Sequence, residues 1–429
     1  MTNNLIFNND ANSLKTLCYG TNNNAIYAIA TDSNGKLIIS NASELTAIVN
    51  NLPLTAFGDL RSSILEPVTG WTFNYGVLSG IITSSTANSG TISTLNSMVH
   101  LSTGTNSAGS SSVSTKKALR YSPGIGALVR FTAVFTTGVS NSTQIIGIGD
   151  NSDGFFFGYN NATFGILIRK NNVDTWVPQS SWSQDPMNGT GTSGITLDFT
   201  KGNVFQIQYQ WLGFGTIRFS IENPITGSIT PVHLIQYANQ YTTPSLLNPT
   251  LPITALVENT GNTSNLSLYS PSSMAFTEGS SYSTAISSRY TFFIEAVNIS
   301  SDTKTTLFAI RNKSTFNSKT NRVRVQVDLI STSTESTKIV YFYLISNPNI
   351  TGGTFVDIDT TNSVIESSTN PTYTGGHTTL FIPTAKSSSS TLSLSDQSII
   401  LSPNESLILA AKSSAHSDVS ASVSWIEYY

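Results

Sequence analysis

Charge is scarce in this sequence: Asp, Glu, Lys and Arg make up 10% of 429 residues, 24 carboxylates against 21 cations, for a net charge of -3. Soluble domains usually carry about 25% charged residues. Helical bundles and coiled coils are excluded first, because their helices need the Glu, Lys, Ala and Leu that are thin here. Without a block of Lys and Arg there is nothing to neutralise a run of phosphates, so no nucleic-acid partner is expected. Cysteine is nearly absent as well: Cys18 stands alone, which rules out an intrachain disulfide framework. No stretch approaches the roughly 20 apolar residues of a membrane span. The first ten residues lack a basic start and an apolar run, so no secretory signal and no membrane partner are expected. Folding in a reducing cytoplasm is the expectation.

Hydroxyls, amides and rings take the place of charge. Ser and Thr number 121, Asn 39, and Phe, Tyr and Trp together 42. Enough aromatic surface is present to bury a core, which argues against disorder. The ten Asn-X-Ser/Thr sequons match the roughly eleven that such a composition yields by chance, so they carry no glycosylation signal.

Period two dominates. Phe205, Ile207, Tyr209 and Trp211 alternate with Gln206, Gln208 and Gln210, and Ile217, Phe219 and Ile221 alternate with Arg218 and Ser220 after a turn at Gly213 to Gly215. Val323, Val325, Val327 and Leu329 repeat the pattern, as do Val419, Ala421, Val423 and Trp425. These are half-buried antiparallel strands. Runs without alternation, 155–157 and 339–345, read as strands covered on both sides or as strands in a sandwich core. The expected class is all-β, with tandem antiparallel β-sandwich or jelly-roll domains and an extended N-terminal arm.

Three segments follow. Residues 1–60 form the arm, with a hairpin of 25–30 and 36–39 around Asp32-Ser33-Asn34-Gly35 and a short helix at 42–52. Residues 61–285 form a large sandwich interrupted by a Ser/Thr/Gly-rich stretch, 83–115, read as loop. Residues 286–429 form a second sandwich.

Chemistry is harder to find. Four histidines, His100, His233, His377 and His416, have no metal-ligand spacing and no nearby Cys, and they read as structural. No catalytic, metal-binding or cofactor residues are assigned, and no cofactor is expected. Asp150-Asn151-Ser152-Asp153-Gly154 has the oxygen spacing of a calcium loop but lacks the bidentate Glu, and reads as a polar turn. Asp357 and Asp359, with Glu366 a turn later, could bind a cation or serve as acid and base in a two-carboxylate glycan hydrolase; solvated edge-strand carboxylates are the commoner explanation. Trp176, Trp182, Tyr159 and Asn160 mix flat rings with an amide, the combination a host-glycan site would use, although core packing accounts for rings too.

Several runs are recognisable as a type. In the C-terminal part they are Arg311-Asn312-Lys313-Ser314-Thr315-Phe316-Asn317, Lys319-Thr320-Asn321-Arg322-Val323-Arg324, Ile350-Thr351-Gly352-Gly353, Val356-Asp357-Ile358-Asp359, Ile400-Leu401-Ser402-Pro403-Asn404-Glu405-Ser406 and 417–425. Earlier come Arg120-Tyr121-Ser122-Pro123-Gly124, Ile146-Gly147-Ile148-Gly149-Asp150, 153–160 and Phe164-Gly165-Ile166. Together they resemble structural proteins of tailed-phage and large DNA-virus particles. The resemblance implies a non-enzymatic virion component, a capsid-decorating, fibre or minor capsid protein on the particle exterior. Its partners would be capsid or other virion proteins, and it would be a homo-oligomer such as a trimer. The alternatives are a host-glycan-binding receptor protein and a cellular surface or appendage subunit.

Overall fold

The computed structural model describes residues 64–279, 287–397 and 399–429, together with two short paired strands, Tyr19–Asn22 and Ala25–Ala28. The chain divides into two compact units, 1–63 and 64–429. In the first, the expected strand at 25 is present, and its partner is the preceding segment. The expected second strand at 36–39 and the helix at 42–52 lie outside the described residues.

The second unit is all-β and antiparallel, and its described helical pieces are two three-residue turns, Gln179–Ser181 and Ser395–Gln397. No helix among the described residues is long and apolar enough to cross a membrane. Two sandwiches follow one another. In the first, a seven-stranded sheet faces a nine-stranded one whose central strand, Gly126–Phe135, pairs with Asn203–Tyr209 on one side and with Ser267–Ser270 and Ser272–Glu278 on the other. Alternation sends Phe131, Phe135, Phe157, Phe205 and Phe219 into one aromatic core, where Phe157 and Phe205 lie 4.9 Å apart and Phe164 stacks on Phe199 at 3.5 Å. Rings at such distances add about 1 kcal/mol per pair beyond their area burial.

The Ser/Thr-rich stretch 83–115, expected to be loop, is instead built of strands: Ile82–Ala87, Thr91–Leu95, Met98–Ser102 and Ser110–Thr115. Val99, Leu101 and Val113 supply buried anchors, and hydroxyls occupy the remaining inward positions by bonding main chain, as Ser111 Oγ does to the Ser102 carbonyl at 2.9 Å. The turn at Asn96-Ser97 has positive φ at both residues, 51° and 59°, the geometry that suits a two-residue hairpin.

In the second sandwich a five-stranded sheet containing Ser287–Ile299, Arg324–Thr334 and Ser417–Tyr428 covers a six-stranded one containing Thr305–Asn312, Ser406–Ser413, Val340–Ser346 and the edge strand His377–Thr384. Val419, Ala421, Val423 and Trp425 point inward. The alternation of Val325 and Val327 breaks at a bulge between Val327 and Leu329, so Ile330 rather than Leu329 enters the core.

The two sandwiches meet along one seam. Arg322 pairs with Asp150 and donates to the Asn248 carbonyl at 3.3 Å, and Arg120 Nε donates to the main-chain oxygen of Tyr429 at 3.0 Å.

Candidate functional site: an aromatic sheet edge

The outer face of the six-stranded sheet holds a graded set of side chains. Its register places Asp357, Glu366, Arg311 and Ser406 in one row, Ser368, Ala309, Ile408 and Ile345 in the next, and Ala410, Tyr343 and Phe381 in a third. The middle row is apolar apart from Ser368, and Ile350, Phe355 and Tyr373 pack over it. Beyond it the face opens, at Phe381 and at Tyr341, which lies between Lys412 and Pro383 in a fourth row. Tyr341 is 36% and Phe381 49% exposed, their rings stacked at 5.4 Å and 15°, and Tyr343 meets Phe381 edge-on at 5.2 Å. The Lys304 ammonium sits 4.1 Å from the Tyr343 ring centroid, a cation–π contact.

These rings lie outward because residues 339–345 alternate after all. Val340, Phe342 and Leu344 are buried, whereas Ile339 and Tyr341 are exposed. A strand covered on both sides or one in a sandwich core was the expectation, since tyrosine counts as apolar; the second reading fits, with one face buried. Its amphipathic ring is the signal that separates the two faces, because a phenol can leave its hydroxyl in water while packing its edge. Pro383 lies on the same edge strand, where a missing N–H is tolerated.

The rings expected from sequence to bind glycan do not share a surface. Tyr159 is 8% and Trp182 5% exposed. Both rings belong to the aromatic core, Trp182 against Phe157 at 5.9 Å and Tyr159 against Phe164 at 5.0 Å. Trp176 packs on the opposite side of that sheet, over Phe156 and Leu167. Asn160 is half-buried and accepts from Asn161 Nδ2 at 3.1 Å. Period two decides this outcome: Phe155, Phe157 and Tyr159 take the inward positions, leaving Phe156 and Asn160 outward.

The carboxylates are engaged. Asp357 pairs with Lys313 and Glu366 with Arg311, each at 2.6 Å, and the Arg311 guanidinium lies 3.9 Å from the Phe355 ring centroid. Asp359 caps a turn, and the Thr361 N–H, with the side chain and N–H of Asn362, holds its carboxyl below the ordinary value. Asp150 caps the 150–154 turn, accepting from the N–H groups of Ser152 and Asp153 at 2.7 and 3.1 Å. Among the described residues no group of three His, Cys, Asp or Glu side chains is placed to hold a metal. His233 Nδ1 accepts from the Ser183 N–H at 3.0 Å. His100 stacks on Tyr269 at 4.4 Å and meets Ser267 Oγ at 2.9 Å.

No protein-family model matches the sequence, and no curated protein matches it. Solved structures give loose likenesses. A glycosyl hydrolase family protein from Mycobacterium fortuitum is similar at 8% identity and TM-score 0.33, over 50% of this chain and 100% of that one. The carbohydrate recognition domain of Emp47p is similar at 10% identity and TM-score 0.31, over 50% and 95%. The binding domain of botulinum neurotoxin serotype D/C is similar at 13% identity and TM-score 0.32, over 70% and 63%. Likenesses this distant leave the chemistry to this chain's own residues.

Proposed function

We propose that this protein binds carbohydrate on the open aromatic edge of its second sandwich, as a glycan-recognising component of a particle or cell exterior. The ladder of exposed Tyr341 and Phe381 with half-buried Tyr343 carries the reading. Flat rings held at strand spacing offer C–H-stacking surfaces to pyranose rings, and Lys304 and the tyrosine hydroxyls lie at hand for sugar hydroxyls. A site of this kind needs no catalytic group and suits a shallow, wet contact. The virion setting that the sequence resemblance implies belongs to this proposal: a capsid-associated protein would present the second sandwich to host glycans.

A glycan array probed with the full chain tests it. Saturable binding is expected, weakened about tenfold or more, or by about 1.4 kcal/mol, in Phe381→Ala with the melting transition unchanged. A blank array at high protein concentration would sink the idea.

A further inference from the structure

The seam between the sandwiches opens into a cleft of about 480 Å³, within the range of roughly 300–1,000 Å³ that small-ligand sites occupy. Five of the chain's 21 cations line it: Lys116, Lys117, Arg120, Arg322 and Arg324. That is a steep local concentration in a protein of net charge -3. Two carboxylates share the lining, and both have other work. Asp150 is taken by Arg322 and by its own turn, and Glu405 accepts from the Ser402 N–H at 2.8 Å. Glu66 lies near enough to Lys117 to act on its charge.

Both walls are rigid. On the first sandwich, Thr115 Oγ1 donates to the Lys117 carbonyl at 2.9 Å and accepts from the Ile253 N–H at 3.1 Å, while the Leu119 N–H bonds the Leu251 carbonyl at 2.7 Å. These bonds fix the path of 115–120. On the second, buried Asn312 donates to the carbonyls of Val323 and Leu401, both at 3.0 Å, and Asn321 donates to Asn312 Oδ1 at 2.6 Å. They fix 321–324. The Tyr428 ring lies beside both guanidiniums, 5.3 Å from Arg120 and 5.8 Å from Arg324. Cations gathered on these walls repel one another across the cleft. Burial, followed by the charge of Arg324, pushes the Lys117 ammonium below its ordinary value, with Glu66 acting the other way. An anion that entered would relieve this repulsion without first paying to order the groups that bind it.

We infer that the cleft is a second binding site, for an anionic saccharide whose sulfate or carboxylate groups pair with Lys116 and Lys117. Hydroxyls and amides between the cations, among them Thr250, Thr320, Asn347 and Asn404, match a hydroxylated ligand better than a bare ion. The site is separate from the aromatic edge and stands or falls independently of it.

Calorimetric titration of the full chain tests it with four probes: a heparin-derived hexasaccharide, its desulfated form, a hyaluronan hexasaccharide carrying carboxylates alone, and sodium sulfate at matched ionic strength. Saturable binding of at least one anionic hexasaccharide is expected, weakening as salt rises. The double variant Lys116→Gln/Lys117→Gln should lose tenfold or more, and Lys116→Arg/Lys117→Arg should keep most of the affinity. Phe381→Ala should leave this binding unchanged, which separates the cleft from the aromatic edge. The inference is overturned if neither anionic hexasaccharide binds, if the glutamine variant binds as the natural sequence does, or if sodium sulfate binds as tightly as the saccharides. The heparin and hyaluronan arms tell sulfate from carboxylate recognition.

Discussion

A buried carboxylate without a cation beside it is stable only if hydrogen bonds replace the water it has lost. Glu427 is 0% exposed, and its partners among the described residues are neutral. It accepts from Ser363 Oγ and Tyr429 Oη at 2.6 Å each, Trp425 Nε1 at 2.9 Å and the Val364 N–H at 3.0 Å. Burial and the bond to Glu427 push the Tyr429 phenol upward, which keeps its proton available as a donor. Glu427→Ala would strand all of these donors at once, and a loss on the order of 3 kcal/mol is expected from urea unfolding. An unchanged midpoint would mean that water reaches the site. Histidine gives a second residue-scale prediction. Burial lowers the pKa of His233 and of His100 in the folded state, so the unfolded chain binds protons first as pH falls through about 6.5. Stability should therefore decline from pH 7 to pH 5, above the range where carboxylates titrate. His233→Gln should flatten that decline; an equal slope in both proteins would count against His233 as a source.

At the scale of elements, legibility depended on whether a strand's two faces differ in chemical type. Phe205, Ile207 and Tyr209 against glutamines were plain in the sequence, and all three are buried, with Gln206 held by Arg130 at 2.7 Å. Residues 83–115 were opaque because Ser and Thr serve on either face: inward hydroxyls bond main chain, so few apolar residues mark the core side. The bulge at Val327–Leu329 was invisible for another reason, since a one-residue insertion changes which neighbours face inward without changing composition. The candidate site failed to show for the same reason as the Ser/Thr strands. Aromatic content pointed to the first sandwich, where most rings fill the core, whereas the stacked pair on the second sandwich joins Tyr341, from a strand whose tyrosines alternate with Phe342 and Leu344, to Phe381 of the neighbouring edge strand. Counting rings finds cores; reading each ring's parity against its strand neighbours finds a surface.

For the whole molecule the decisive question is how exposed sheet edges avoid pairing with other copies. Four edge strands carry a proline: Pro67 in Leu65–Thr72, Pro178 in Val173–Pro178, Pro231 in Ile229–Ile235 and Pro383 in His377–Thr384. Each removes a donor from an open ladder. The longest edge strand, Ser287–Ile299, bends at a bulge between Ile294 and Val297, where Ala296 adopts a φ of 49°. Edge-to-edge addition is thus disfavoured at several of the places where a sandwich would otherwise polymerise. Any homo-oligomer, as the virion resemblance implies, has to be built another way. The compact unit 64–429 is accordingly expected to elute as a monomer in size-exclusion chromatography with light scattering, and the full chain to be the form that oligomerises if either does. A trimer from the 64–429 unit alone would place the assembly surface on the sandwiches and overturn the argument from edges. A monomer from both would leave assembly to another protein, such as a particle component on which this chain is mounted.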